Sequence, residues 1–184
     1  PCKVRSSCRL QPAFLDRRDT PAVVTGNTIL SRFPINNNRE VFFDVPYGVY
    51  RDTIPGDYTR VPRNLQHAEV DFHGITLNVF NTQGIWGFDG NDHARRLAMG
   101  AVIAREVAGK PRVILAGDFN VQEGTKTIDL IERQLTPVFK KDKRVSSFNI
   151  KHKTDGGYVQ AVVDMVFVSP DIRVVRHEQS DADV

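Results

Sequence analysis

Short segments rich in β-branched and aromatic residues recur along most of the chain, and this pattern restricts the fold more than any other feature of the sequence. The predicted strands cover residues 22–32, 40–46, 66–72, 74–81, 113–116, 161–168 and 172–175. Only 93–108 and 125–135 have the period of a helix, and the first is followed by Gly109 and Pro111, which typically end helices. A chain dominated by strands, with two inserted helices, indicates the α+β class or a layered α/β fold.

The composition is that of a single globular domain. The chain has 184 residues, of which 40% are hydrophobic and 26% charged, and its 25 basic and 22 acidic residues leave a net charge of +3. This balance excludes a collagen-like chain, and two cysteines are too few for a disulfide scaffold. No apolar run approaches the roughly 20 residues that cross a bilayer, so a transmembrane protein is excluded. No leader-like segment begins the chain, which makes the cytoplasm the default location and leaves secretion open.

The first 21 residues do not fit the strand pattern. Pro1, Pro12 and Pro21 interrupt any long period, and several arginines lie between them. We therefore expect residues 1–21 to be a basic, irregular arm or loop, and residues 22–184 to form the domain.

The most informative motif is Gly-Asp-Phe-Asn, directly after the apolar strand 113–116. Asp118 and Asn120 are two positions apart, and in an extended chain this spacing directs both side chains to the same side. A carboxylate there can orient a water molecule and accept its proton, and the neighbouring amide can hold a phosphoryl oxygen. An ordinary turn after a strand would contain the same residue types, so the motif alone leaves both interpretations open.

Two further polar groups lie next to apolar segments. Residues 81–83 (Asn-Thr-Gln) end a predicted strand and form either an active-site cluster or a turn. Trp86 and Phe88 follow in a glycine-rich loop, where they either line the mouth of a pocket or cap the core. Asp164 lies within an apolar run, where a carboxylate is expected to be buried and hydrogen-bonded, whether to a histidine or in a purely structural contact.

Four blocks occur in an order that resembles the endonuclease/exonuclease/phosphatase superfamily. They are residues 26–35 (GNTILSRFPI), 81–83 (NTQ), 117–120 (GDFN) and 163–169 (VDMVFVS). The superfamily includes deoxyribonuclease-like enzymes, abasic-site endonucleases, inositol-phosphate phosphatases and neutral sphingomyelinases. The likeness covers about residues 22–180.

The resemblance implies a four-layer α/β/β/α sandwich, in which two mixed β-sheets pack face to face, with a metal-dependent phosphoesterase site at one end. Mg²⁺, or Mn²⁺ in its place, would neutralise the phosphate, while Asp118 binds the metal and aligns the attacking water. Asn120 resembles the residue that holds the phosphate, and Asn81 resembles another active-site amide. Asp164 resembles the carboxylate that orients a catalytic histidine. The implied protein is a monomer with no stable protein partner, and its substrate is a phosphate ester in a nucleic acid, a phospholipid headgroup or an inositol phosphate.

The chain departs from the family pattern at three places. Gln83 stands where the family usually has a histidine, and it can donate a hydrogen bond to phosphate but cannot carry a charge. No glutamate precedes Gly26, although the family has a metal-binding glutamate upstream of this block. Residues 180–182 are Ser-Asp-Ala where the family has Ser-Asp-His, so Asp181 corresponds to a second metal ligand, and either Ala182 replaces the histidine or the triplet lies beyond the chain. We therefore expect the chain alone to be nearly inactive, and the alternative is a catalytically inactive phosphate- or nucleic-acid-binding relative.

Overall fold

The computed structural model describes residues 2–11, 23–51, 58–140, 144, 146–148 and 160–179. Its elements, in chain order, are β1 (Cys2–Gln11), β2 (Val23–Ser31), β3 (Ile35–Phe42), β4 (Val49–Arg51), β5 (Asn64–Phe72), β6 (Ile75–Gln83), α1 (Ala94–Val107), β7 (Val113–Asp118), α2 (Lys126–Glu132), β8 (Thr136–Pro137) and β9 (Asp164–Val168). The described strands form two sheets. The smaller has the order β2-β1-β4, and the larger has the order β3-β5-β6-β7-β9-β8.

The larger sheet is mixed, and its strand directions determine which ends meet. β5 and β6 form an antiparallel hairpin that turns at His73 and Gly74, both with positive φ. β6 and β7 are parallel, and α1 provides the crossover connection that a parallel pair requires. β9 is antiparallel to β7. The C-terminal ends of β6 and β7 therefore meet the N-terminal end of β9 at one edge of the sheet.

The hydrophobic core lies between the larger sheet and the helices. α1 confirms the helix predicted over 93–108, and α2 confirms the one predicted over 125–135, although α2 ends earlier. The buried residues of α1 follow a helical stripe: Arg96, Met99, Gly100, Ile103 and Val107. Phe80, Leu115 and Phe167 belong to the same core cluster as the apolar members of this stripe. Among the described residues, no helix combines the length and the hydrophobicity needed to cross a membrane.

The smaller sheet packs on the other face of the larger one. Phe80 of β6 lies in the core beneath α1, whereas the next residue, Asn81, donates a hydrogen bond from its Nδ2 to the carbonyl oxygen of Thr28 in β2 at 3.4 Å. A second link runs from Asn27 Nδ2 to Asn64 Oδ1 at 3.0 Å. The chain thus has the two-sheet α/β sandwich that the sequence predicted.

Three of the predicted elements differ in the structure. The irregular arm expected over residues 1–21 was wrong for Cys2–Gln11, which form β1 and pair along nearly their whole length with β2. The prolines lie outside this strand, whose sequence alternates between apolar and polar residues over much of its length, as a strand requires. The strand predicted over 40–46 lies earlier, as β3. Residues 172–175 are not a strand, and their valines are exposed beyond the end of β9.

Candidate active site

Three polar side chains stand side by side where β6, β7 and β9 meet. In the register of the sheet, Gln83 pairs with Asp118, and Asp118 pairs with Asp164. Because side chains alternate along a strand, all three lie on the face opposite α1, towards the smaller sheet. Residues distant in the sequence thus form a single row across three strands, which we call the Gln83–Asp118–Asp164 row.

Two glycines allow the ends of β6 and β7 to approach each other. A Cβ atom on Gly117 would lie 2.0 Å from the carbonyl oxygen of Thr82, and one on Gly84 would lie 2.0 Å from that of Phe119. Gly117 also has a φ of 151°, which side chains disfavour. The close approach is held by a hydrogen bond from the Gly84 amide to the Asp118 carbonyl oxygen at 2.6 Å. The backbone around Asp118 is therefore fixed by contacts that only glycine permits.

Asp118 is the most perturbed carboxyl group of the row. Burial, and after it the negative charge of the neighbouring Asp164, together raise its pKa to about 6. Three groups oppose this rise: the Asn120 amide, which donates to Asp118 Oδ1 at 2.8 Å, the positive charge of Arg63, and a hydrogen bond from the Gln83 side chain. Since the pKa lies near neutrality, Asp118 is suited to exchange a proton with a reacting water molecule.

Gln83 connects this carboxylate to a cation. The Arg63 guanidinium donates from NH1 to Gln83 Oε1, and the Gln83 side chain in turn bonds to Asp118. An amide has one accepting and one donating end, so the bond from Arg63 directs the amide nitrogen of Gln83 towards Asp118. Arg63 therefore places a positive charge beside the uncharged Gln83, and this charge also acts directly on Asp118 to oppose the rise of its pKa.

Asp164 is the first residue of β9 and is exposed, so the expectation of a buried carboxylate was wrong. The apolar run around it does not enclose the side chain, because β9 begins at the edge of the sheet where a cavity opens. Its backbone is well held: the amide donates to Ser147 Oγ at 3.1 Å, and its carbonyl oxygen accepts from Arg144 NH1 at 3.2 Å. The acid is thus presented to solvent from a fixed backbone.

A cavity of about 440 Å³ opens beside the row. Asp118 and Asp164 form one part of its wall, and Arg144 with Phe139 forms another. The Arg144 guanidinium lies 5.0 Å from the centre of the Phe139 ring and forms an ion pair with Glu123. The cavity therefore combines three acids, since Glu178 also lines it, with a held cation and an aromatic ring, and its volume suits a small-molecule ligand.

The structure does not bring the Asn120 side chain into this cavity. Asn120 has a φ of 54° and is 6% exposed, and its Nδ2 donates to the Gly84 carbonyl oxygen at 3.0 Å. Its contribution to the row comes from its backbone amide, which bonds to Asp118. Asn81 lies on the same face as Asp118, but its Nδ2 is occupied by Thr28 of the smaller sheet. Asp181 lies outside the residues that the structure describes.

Sequence reasoning missed Arg63, and for the basic run 140–153, which contains Arg144, it favoured a solvated loop over a role in steering an anionic substrate. Arg63 precedes β5, and nothing in its local sequence connects it with Gln83, which lies on another strand. Arg144 belongs to a basic run, a pattern that more often indicates a solvated loop. Arg63 reaches the row because β5 pairs with β6, whereas Arg144, in the loop before β9, contacts the backbone of Asp164.

The order of the motifs agrees with the comparison to known families. A model of the Endonuclease/Exonuclease/phosphatase family matches residues 9–182. The chain belongs to this family. Members of the Endonuclease/Exonuclease/phosphatase family generally depend on a divalent metal ion. No curated protein matches the chain.

Solved structures share the fold of this family member. D. rerio TDP2, complexed with a single-strand DNA product, is 20% identical over 75% of this chain and 54% of its own, with a TM-score of 0.56. The mannosyl-6-phosphatase Bt3783 of Bacteroides thetaiotaomicron is 16% identical over 92% and 64%, also with a TM-score of 0.56. Sphingomyelinase C from Streptomyces griseocarneus is 18% identical over 90% and 58%, with a TM-score of 0.52. The chain thus spans between 54% and 64% of these relatives.

The donor set of the row fits part of a site for a hard divalent cation. Asp118 and Asp164 are adjacent carboxylates, and the repulsion that raises the pKa of Asp118 would be relieved by a bound cation. Mg²⁺ is commonly held by one or two carboxylates, and water and phosphate oxygens complete its coordination. Within the described ranges, no group of three or more His, Cys, Asp or Glu side chains is arranged to hold a metal. The two acids therefore suit a cation that is shared with a phosphate.

Proposed function

We propose that this protein is a metal-dependent phosphoesterase that hydrolyses a phosphodiester or phosphomonoester by direct attack of water. The observation that carries the proposal is the Gln83–Asp118–Asp164 row beside the cavity. Membership of a family of phosphoester hydrolases supports the reaction class. The related structures are named for a DNA product, a phosphosugar and sphingomyelin, so a phosphate ester is the chemistry they share.

Asp118 has the central role in this proposal. Its carboxylate aligns a water molecule and accepts its proton as the water oxygen forms a bond to phosphorus, and the bond from phosphorus to the leaving oxygen breaks. The leaving oxygen takes a proton from solvent. Before a cation binds, a pKa of about 6 leaves a large part of Asp118 ionised at neutral pH, which is the form that accepts a proton.

The neighbours of Asp118 orient it and balance its charge. The Asn120 amide and the Gln83 side chain donate hydrogen bonds to its carboxylate, which fixes the direction of the oxygen that faces the water. Asp118 and Asp164 would hold Mg²⁺ or Mn²⁺, which when bound neutralises the phosphate and the developing charge on the leaving oxygen. Asp181 is a further proposed ligand.

The experiment compares Asp118→Ala with the parent in the full-length protein, using bis(p-nitrophenyl) phosphate and p-nitrophenyl phosphate with Mg²⁺. We expect kcat to fall by at least about 100-fold, the lower range for loss of a general base. Glu40→Gln, at an exposed acid on β3, is the matched control and should leave kcat unchanged. Activity of Asp118→Ala within a few-fold of the parent would remove Asp118 from this role.

The alternative is a relative of the same fold that binds phosphate or nucleic acid without hydrolysing it. The observation that favours it is Gln83, which cannot transfer a proton where the family usually has a histidine. A full-length protein that binds a phosphate ester but turns over neither p-nitrophenyl substrate in Mg²⁺ or Mn²⁺ would support this alternative.

A further inference from the structure

An exposed group of aromatic rings lies next to the candidate active site. Trp86 contacts Tyr58 on one side and Phe88 on the other, edge to face, with ring centres 5.8 Å and 4.8 Å apart. Phe88 is 64% exposed and Tyr58 is 46% exposed. We call these three residues the aromatic ledge. Rings that were only capping the core would be covered, so the ledge presents ring surface to solvent.

The ledge is connected to the Gln83–Asp118–Asp164 row through two neighbouring segments. Trp86 and Phe88 follow Gln83 at the end of β6, and Tyr58 lies on the segment that leads through Arg63 into β5. The bond from Arg63 to Gln83 joins the two segments beside the row, and the contact of Tyr58 with Trp86 joins them further out. The cavity is lined from β7 and β9, so the ledge and the cavity lie on opposite sides of Asp118.

The loop that carries the ledge is rigidly built around a buried arginine. Arg96 of α1 is fully buried, and its Nε donates to the Ile85 carbonyl oxygen at 3.1 Å. Its NH1 donates to the Asn91 carbonyl oxygen at 2.6 Å and to Asp89 Oδ1 at 3.1 Å. A Cβ atom on Gly87 would lie only 2.9 Å from NH2 of Arg96, so the loop passes directly over the guanidinium. The backbone that carries Trp86 and Phe88 is therefore fixed before any ligand binds, which reduces the entropy lost on binding.

We propose that the aromatic ledge stacks a nucleobase of a single-stranded nucleic acid whose phosphate lies at the Gln83–Asp118–Asp164 row. This inference rests on the proposed function, because it assigns the substrate class of the same site. Single-stranded nucleic acid is recognised by exposed aromatic rings beside a cationic path for the backbone, and here the rings and Arg63 lie on the same pair of segments. A lipid bilayer would have to accommodate the Asp89 carboxylate, which is next to Phe88 and whose side chain is 60% exposed. A nucleobase stacked on Phe88 presents an uncharged face to the ring.

The ledge contains its own spectroscopic reporter, because Trp86 is the only tryptophan of the chain. The experiment titrates the protein with a ten-nucleotide oligothymidylate in EDTA, which prevents turnover, and follows Trp86 fluorescence. The same titration is made with an abasic oligomer of equal length and with phosphatidylcholine vesicles. Phe88→Ala is compared with Phe72→Ala, a matched substitution at an exposed phenylalanine near the β5–β6 turn, at the other end of the sheet.

We expect oligothymidylate to quench the fluorescence of Trp86. Phe88→Ala should raise the Kd for oligothymidylate by roughly 5- to 100-fold, the range for the loss of one base–aromatic stack. The abasic oligomer should bind correspondingly more weakly, and Phe72→Ala should bind oligothymidylate as the parent does. Equal quenching by the abasic oligomer, equal Kd values for the two phenylalanine variants, or a response to vesicles alone would each overturn the inference.

The two proposals fail in different ways. If hydrolysis of bis(p-nitrophenyl) phosphate depends on Asp118 but Phe88→Ala leaves oligothymidylate binding unchanged, the proposed function stands and the stacking role is wrong. If oligothymidylate binding depends on Phe88 as expected but no phosphate ester is hydrolysed, the ledge is confirmed as a nucleobase site and the hydrolase assignment is wrong.

Discussion

Replacing Asp118 by asparagine should stabilise the protein at neutral pH while removing its proposed activity. Burial and the adjacent Asp164 raise the pKa of Asp118 from an ordinary value of 3.8 to about 6. The folded protein therefore binds this proton more tightly than the unfolded chain does. As the pH rises through this interval, the folded state must give up a proton that the unfolded chain has already lost, and the free energy of unfolding decreases. An asparagine does not titrate and avoids this loss.

The size of the effect follows from the two pKa values. Their separation corresponds to about 3 kcal/mol above pH 6, and at pH 4 the contribution is below about 1 kcal/mol. Asparagine retains an oxygen that can accept from the Asn120 amide, so most of this difference should appear as added stability of the variant. The gain should be largest at pH 7 and small at pH 4.

The assay is urea unfolding of the parent and of Asp118→Asn at pH 4 and pH 7, with EDTA present so that no cation compensates the charge. Glu40→Gln, at an exposed position of β3, provides the control. Two results would refute this reasoning: an equal gain in the free energy of unfolding at both pH values, or a loss at pH 7. Either would show that the folded state does not disfavour the ionised form of Asp118.

Three further substitutions test separate parts of the structure. Gly84→Ala would place a Cβ atom 2.0 Å from the Phe119 carbonyl oxygen, and we expect it to cost roughly 3 kcal/mol of unfolding free energy, measured in urea; a cost below 1 kcal/mol would contradict the close approach of the two strands. Asp164→Asn removes a like charge and should lower the pKa of Asp118, which is measured by carbon NMR of its carboxyl group. An unchanged pKa would show that burial alone raises the pKa of Asp118. Arg96→Leu removes the donors to two loop carbonyl groups and should cost about 2–4 kcal/mol in the same urea assay; a nearly neutral effect would contradict the role of Arg96 in holding this loop.

Local sequence patterns were sufficient to predict the strands that carry the site, but not to predict which residues of these strands pair with one another. The apolar run before Asp118 and the run after Asp164 predicted strands, and both are present as β7 and β9. That these two acids pair with each other, and with Gln83, depends on strand order and direction. Residues far apart in the sequence leave no periodic trace of such pairing, so the row was accessible only through the family resemblance.

Asn120 shows why a spacing rule can fail at a functional turn. The spacing of two directs side chains to one side only while the backbone stays extended. Gly117 has a φ of 151° and Asn120 has a φ of 54°, so the chain leaves the strand geometry within the motif itself. The side-chain amide of Asn120 consequently turns towards the Gly84 carbonyl oxygen. Of the two motif side chains, only that of Asp118 lines the cavity.

Arg96 and β1 were missed for opposite reasons. A charged residue near the start of a helix is normally solvated, yet Arg96 occupies the same stripe as Met99 and Ile103, and this spacing could have identified it as buried. In the first 21 residues, the prolines were given more weight than the alternation of Cys2–Gln11, although Pro12 follows the end of that strand.

The Gln83–Asp118–Asp164 row requires a fixed number of residues in β7, whose last residue is Asp118. One residue inserted within β7 ahead of Asp118 would rotate the carboxylate to the helix side of the sheet, where the core has no room for a charge. Residues added to the loops before or after β7 would leave Gln83, Asp118 and Asp164 paired in the row. Variants designed to test the proposed specificity should therefore change the connecting loops and keep the residue count of β7 constant.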